Sequence, residues 1–347
     1  MGNDVLIIGA GVAGLKAAVA LDEFGIGTVI VEKTPAPGGK VKEYARIFPT
    51  FSSGKLIVKD LLDRIRSSPR IRLSAGTEAT SVSREKGRFR AALSNGHVVD
   101  LRAIIVAAGF DSFDPIRQPE YGYGVYPNVI SSVELESVLD PDGPTKGRVL
   151  KPSDGKPAKK IALVFCVGSR NVRIGAPYWS RICCSFSTKQ AIEIKEKDRE
   201  TSVTCFYMDI RTYGKGFEEM YRYAQELGVK YVRGRVSEIS MDLQGTIQVR
   251  AENTLLGKPM QGLFDVVSLA VGMRPCEDAE KLSRTLGIER DKDGFFSLKN
   301  DEENPHESSQ PGIFLAGAAT GLKPIRDCLL DGASAGGAAA SYLRTRG

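Results

Sequence analysis

The stretch Asp4–Gly14, DVLIIGAGVAG, constrains this chain more than any other. A run of strand-forming residues, Val5-Leu6-Ile7-Ile8, leads straight into Gly9-x-Gly11-x-x-Gly14, and an alanine-rich helix is expected after it. Each glycine has its own reason. Gly9 permits a tight turn, Gly11 lets a pyrophosphate approach the backbone, and Gly14 lets helix and strand pack closely. The free N–H groups at the helix start then face the phosphates. A second strand, Thr28-Val29-Ile30-Val31, ends at Glu32, where an acid can hold a ribose hydroxyl. Strand, glycines, helix and acid in this order predict a bound dinucleotide.

Three further segments favour FAD over NAD as that dinucleotide. Pro35-Ala36-Pro37-Gly38-Gly39-Lys40 follows Glu32, and its paired glycines let the chain pass close to the phosphate and ribityl chain. Leu101–Gly109 reads as a β-branched strand running into Ala107-Ala108-Gly109. Gly312–Ala319 repeats that pattern near the C-terminus, before a helix rich in Ala and Gly. Many flavoproteins place an aspartate after the equivalent of Gly317. Ala318 stands there instead, so that contact falls to backbone or to another residue. The candidate cofactor-binding set is Gly9, Gly11, Gly14, Glu32, Lys33, Gly39, Lys40, Ala79, Ala108, Gly109, Gly317 and Ala318.

A length of 347 residues supports about two domains, and 42% apolar residues are enough to build their cores. No apolar run nears the ~18 residues of a membrane span. The N-terminus enters the first strand at once, which leaves no room for a signal peptide and predicts a cytoplasmic protein. The six cysteines are then expected as metal ligands or buried apolar residues rather than disulfides. Lys146, Arg148, Lys151, Lys156, Lys159 and Lys160 form either a solvated linker or a face for an acidic partner. No motif supports nucleic-acid binding. His97 and His306 lie in polar, surface-like segments, which argues against a catalytic base there.

The expected fold is α/β, with two dinucleotide-binding-type (Rossmann-like) domains and the second inserted in the first. The first spans 1–157 and 291–347. The second spans 158–290, beginning at Ile161–Phe165. Helices are expected at Ser131–Leu139, Ser185–Lys197 and Gly216–Leu227. Strands are expected at Ser202–Tyr207, Lys230–Arg233, Val236–Ile239, Ile247–Ala251 and Phe264–Ala270. The run Gly332–Ala340 reads as close helix packing.

The second domain lacks a nucleotide turn of its own. Its first strand runs into Phe165-Cys166-Val167-Gly168-Ser169-Arg170, with one glycine of the triplet left, which argues against NAD(P)H binding there. Nor does the chain hold a Cys-x-x-Cys redox pair. Instead Cys166 is followed by Pro177–Cys184, PYWSRICC. Cys166, Cys183 and Cys184 could ligate one metal centre, and thiolates are the usual ligands of iron–sulfur clusters. Spacing alone favours Cys183 and Cys184 as small buried core residues.

At these residues the chain resembles the A subunit of heterodisulfide reductase, a flavoprotein of the thioredoxin reductase-like class. The likeness is carried by Cys166–Arg170, Ser180–Cys184, Asp209–Gly216, Pro119–Gly124 and Phe48–Thr50. It implies FAD in the first domain and a [4Fe–4S] cluster on Cys166, Cys183 and Cys184. It also implies partner subunits of a complex that handles disulfides or sulfane sulfur. The family's usual fourth cysteine is replaced by Trp179, leaving Cys205, Cys276, Cys328 or an oxygen or nitrogen ligand as candidates. The chain lacks the ferredoxin-like cysteine runs of the methanogen proteins and resembles the short form of sulfur-oxidising microbes. Lys189, a few residues beyond Cys184, is the candidate for tuning flavin N5. Arg170 and Arg181 could offset the charge of a thiolate-bound cluster. The isolated chain is expected to be a homodimer. Two other readings stay open: an NAD(P)H-dependent flavoprotein disulfide reductase, and a non-catalytic flavin-binding assembly subunit.

Overall fold

Val5–Ile8, Thr28–Glu32, Ala103–Val106 and Ile313–Leu315 are buried along their whole length, as the central strands of a parallel sheet must be. In the computed structural model, which describes residues 4–85 and 87–345, they join Ile71–Ala75 in a five-stranded sheet. Its order is Ile313–Leu315, Ala103–Val106, Val5–Ile8, Thr28–Glu32, Ile71–Ala75, with every pair parallel. The helix Val12–Glu23 follows the glycine turn. The helix Ile325–Thr345 lies against it, and the Gly332–Ala340 run is the reason it can. A Cβ on Gly332 would stand 2.2 Å from the Ala13 carbonyl oxygen, and one on Gly336 would stand 2.9 Å from that of Ala17. Ala79–Glu85, Arg88–Leu93 and Val98–Leu101 add a small antiparallel sheet.

The chain divides into two compact units: residues 1–42, 55–111 and 274–347, and residues 43–54 and 112–273. These boundaries depart from the expected 157 and 290. Val129–Ser131 is a parallel edge strand of the second unit's sheet, with Val267 opposite Val129, so residues 112–157 are part of that unit rather than a linker. Residues 43–54 join it through apolar contacts, with the Tyr44 and Phe48 rings 5.7 and 6.4 Å from the Phe186 ring. After residue 273 the chain is back in the first unit, well before 291.

The second unit's parallel sheet runs Lys230–Arg233, Ser202–Tyr207, Lys160–Val167, Val266–Val271, Val129–Ser131. The helices Ser132–Leu139, Cys183–Lys197 and Phe217–Glu226 accompany it. Beside it stand the antiparallel strands Val236–Met241, Ile247–Asn253 and Lys258–Phe264. The third of these was not expected, because its proline, glycine and polar residues hide its pattern. The expected strand Phe264–Ala270 is divided at Asp265, whose carboxylate accepts the amides of Lys159 and Lys160 at 2.7 and 2.8 Å.

His97 is exposed, but His306 is half-buried in the first unit, with its Nδ1 enclosed and unbonded. Burial pushes its pKa below the usual 6.5. The unfolded chain therefore binds a proton that the folded one refuses, and stability falls as pH drops through 6.5. We expect His306→Gln to flatten the melting-temperature slope between about pH 7.5 and about pH 5.5.

Candidate functional site

Each unit carries a site at the carboxyl ends of its parallel strands, where open α/β sheets place ligands. In the first unit the glycines are sorted by geometry. Gly9 has φ +105°, and a Cβ there would stand 2.4 Å from the Ala107 carbonyl oxygen. A Cβ on Gly14 would stand 2.0 Å from the Gly9 carbonyl oxygen. A Cβ on Gly11 would meet nothing within 4 Å. Two glycines thus serve the protein's own packing, and the third faces open space. The Gly38-Gly39 loop closes over the turn, with Gly38 N–H donating to the Ala10 carbonyl at 2.8 Å and a Gly39 Cβ only 3.0 Å from Gly11 Cα.

Glu32 is buried at the tip of its strand. Its carboxylate accepts from Ala10 N–H at 2.9 Å and from the Thr34 amide and hydroxyl at 2.9 and 2.8 Å. It therefore locks the glycine turn as well as lining a cleft with Gly9, Lys33, Ala79 and Ala108. Lys33 is paired with Asp278 at 2.6 Å. Lys40 lies 3.8 Å from Asp111 and over the Phe110 ring. Gly109 has φ +71°, and Gly317 and Ala318 form a tight 3₁₀ turn after the strand Ile313–Leu315. The cleft's other wall, Cys276, Asp278, Lys281 and Leu282, was missed because no local motif marks it. Cys276 lines this cleft, and Cys328 lies in the same unit beside Gly317.

In the second unit, Cys166 sits on the strand Lys160–Val167 at φ +62°, and Cys183 and Cys184 open the helix Cys183–Lys197. Arg170 and Arg181 also have positive φ, so three strained non-glycine residues gather around the thiols. Hydrogen bonding with the Cys166 and Cys184 side chains holds the Cys183 pKa well below the usual value. Their own pKa values are pushed up by that bond and by burial. Cys184 Sγ also reaches the Asp209 carbonyl at 3.6 Å. The Arg170 guanidinium lies against Cys166 and pairs with Asp209 at 2.8 Å. Cys205 is apart from this group, buried beside Tyr231. Trp179 packs against the Tyr213 ring at 6.2 Å and under the Arg211 guanidinium at 5.0 Å, while its Nε1 is buried and unbonded. Arg181 covers Tyr213. Among the described residues no set of three or more His, Cys, Asp or Glu is arranged to hold a metal ion. The thiols contact one another instead, and a cluster would have to part them.

The second unit's own nucleotide turn is filled. A Cβ on Gly168 would stand 2.1 Å from the Phe113 ring, and Gly168 N–H donates to Gln118 Oε1 at 2.9 Å. A side-chain oxygen and a ring thus occupy the approach a pyrophosphate needs. Asp209, the acid after the next strand, is held by Arg170 and Arg233.

Lys189 is fully buried on the Cys183–Lys197 helix. Its ammonium lies 2.6 Å from both oxygens of Glu136, 3.2 Å from Glu193 and 3.2 Å from the Arg46 carbonyl. It is an ion-paired core lysine, and its charge is balanced within its own unit.

Two nucleotide-type α/β units, the second inserted in the first, give the chain the thioredoxin reductase-like fold. A family model described as pyridine nucleotide-disulphide oxidoreductase matches residues 3–336, and the chain belongs to that family. Curated relatives include the A subunit of the H(2):CoB-CoM heterodisulfide,ferredoxin reductase of Methanothermobacter marburgensis, 34% identical over 97% of this chain and 63% of its own length. The iron-sulfur A subunit of the CoB–CoM heterodisulfide reductase of Methanocaldococcus jannaschii is 33% identical over 97% of this chain and 63% of its own. The chain thus spans just under two thirds of these relatives. Among solved structures, T. acidophilum thioredoxin reductase superposes with TM-score 0.68 at 19% identity, covering 98% of both chains. Lactococcus lactis thioredoxin reductase does so with TM-score 0.68 at 19% identity, covering 99% of both. No described helix is long and apolar enough to cross a membrane.

Proposed function

We propose that the chain is a FAD-dependent electron-transfer subunit of a heterodisulfide reductase-like complex, with a [4Fe–4S] cluster on Cys166, Cys183 and Cys184. The observation that carries the flavin half is the open side of Gly11 within an otherwise closed glycine turn. The glycine turn and the Gly38-Gly39 loop would hold the pyrophosphate, Glu32 the ribose, Ala79 and Ala108 the adenosine walls, and the Gly317–Ala318 backbone the ribityl chain. The cluster half is supported by the chemistry of the donors: three buried thiols, two of them opening a helix, with the pKa of Cys183 lowered by its hydrogen bonds to the other two. The Methanocaldococcus jannaschii relative carries the word iron-sulfur in its name. Trp179 stands where a fourth cysteine is expected, so the fourth ligand comes from outside this set.

When bound, flavin and cluster supply electron carriage between two-electron and one-electron partners. The chain's own residues hold and bias them. Arg170 places positive charge against Cys166. Lys189 is held by Glu136 and by Glu193, whose pKa is raised by burial, so its charge is spent within the second unit. The setting we assign is cytoplasmic sulfur oxidation, in a homodimer that meets further subunits.

Anaerobically prepared protein is expected to hold iron and acid-labile sulfide beside FAD. Cys183→Ala or Cys184→Ala should abolish the broad cluster absorbance and leave the flavin spectrum intact. Iron retained in both variants would overturn the ligand assignment. NADH or NADPH alone should leave the flavin oxidised, because Phe113 and Gln118 fill the second turn. Rapid bleaching would favour the nucleotide-dependent disulfide reductase instead.

A further inference from the structure

We propose that the helix Ala279–Leu286 and its lead-in clamp the adenosine end of the nucleotide cleft through two ion pairs, Lys33–Asp278 and Lys281–Glu78. The clamp deepens the flavin reading above and rests on it. The cleft has walls from distant parts of the chain. Glu32, Lys33, Glu78 and Ala79 come from the N-terminal half, and Asp278 and Lys281 come from the segment that returns to the first unit.

Lys33 Nζ lies 2.6 Å from Asp278 Oδ2, and Lys281 Nζ lies 2.8 Å from Glu78 Oε2. The two pairs run in opposite senses, with the cation on one wall in the first and on the other wall in the second. That alternation fixes the register of the helix against the cleft, since a shift would set like charges together. Both ammonium pKa values are raised, each chiefly by its carboxylate partner. The helix is anchored beneath by buried Ala279, Leu282 and Leu286. Its lead-in is held by Glu277 N–H donating to Asp111 at 2.8 Å. The pairs therefore have a firm base on which to open and close.

Both pairs are partly solvated: Lys33 and Asp278 side chains are 48% and 35% exposed, and Lys281 and Glu78 are 57% and 44% exposed. Salt screens such pairs, and each is worth only a modest factor. The clamp should act on how long the cofactor stays.

The test is FAD release from the holoprotein, followed by the rise in flavin fluorescence on dilution at about 0.02 M and about 0.5 M salt. We expect release to quicken about two- to fivefold per pair as salt rises. The Asp278→Asn, Lys281→Gln double variant should release fast at low salt and lose the salt response. Lys59→Gln, which removes the remote Lys59–Asp63 pair, should behave as the wild type. The clamp is overturned if the double variant keeps the wild-type rate and salt response, or if Lys59→Gln alters release equally. It is also overturned if the flavin-free double variant melts below the flavin-free wild type by the same margin, which would make the pairs merely structural. A protein that carries no FAD at all overturns the underlying flavin reading, and the clamp with it.

Discussion

Gly9→Ala and Gly14→Ala yield protein that melts early and carries no flavin, whereas Gly11→Ala yields protein that melts normally and binds flavin weakly. This is the outcome the glycine turn dictates. At Gly9 an added methyl meets a carbonyl oxygen at 2.4 Å with φ fixed at +105°. At Gly14 it meets one at 2.0 Å. Neither contact can relax by turning a side chain, because both partners are backbone. Overpacking at both positions, with left-handed strain added at Gly9, costs roughly 2–4 kcal/mol. At Gly11 the methyl enters open space, so the empty protein is untouched and only the ligand is displaced. A loss of about 1–3 kcal/mol in affinity corresponds to roughly five- to 150-fold. Calorimetry of the flavin-free proteins, with flavin titration of each, separates the two classes. A Gly11→Ala protein that binds as tightly as the wild type would remove the phosphate from this turn.

The second large effect lies in the other unit. Lys189→Met is expected to destabilise it by about 3–5 kcal/mol, since removing one partner strands buried charge. That is a large share of the roughly 5–15 kcal/mol typical of a whole domain. Glu136 and Glu193, both nearly inaccessible, would be left facing each other's charge. Adding Glu136→Gln should restore much of the loss. The pH dependence follows from Glu193, whose pKa burial already raises. A carboxyl raised in the folded state favours folding at low pH and loses that contribution as pH rises through its folded value. The Lys189→Met protein should thus be more stable near pH 5 than near pH 8. Urea titrations of the three proteins at both values test this. Equal midpoints for wild type and Lys189→Met would show that the pairing carries no stability.

Much of the architecture was legible because its determinants are local. Largely apolar, fully buried strands of four to six residues announced both parallel sheets. The glycine turn and Glu32 declared one wall of the cleft. The opposite wall was not legible, since Cys276 to Leu282 reach it only through the return of the chain after the inserted unit. The domain boundary was misplaced for a related reason. Val129–Ser131 is three residues long amid Pro, Gly and Tyr, and only its partner Val266–Val271 makes it a strand.

The thiol segment was legible in composition but not in form. Its helix was expected at Ser185 and begins at Cys183, so Cys183 and Cys184 leave a helix about 100° apart. Cys183 hydrogen-bonds with both of the other thiols. Lys189 was expected to serve a flavin, and its ion pairs could not be foreseen because Glu136 is far away in sequence.

The ring of Phe113 and the amide of Gln118 have one last implication. A socket already occupied by Phe113 and Gln118 is furnished by the chain itself.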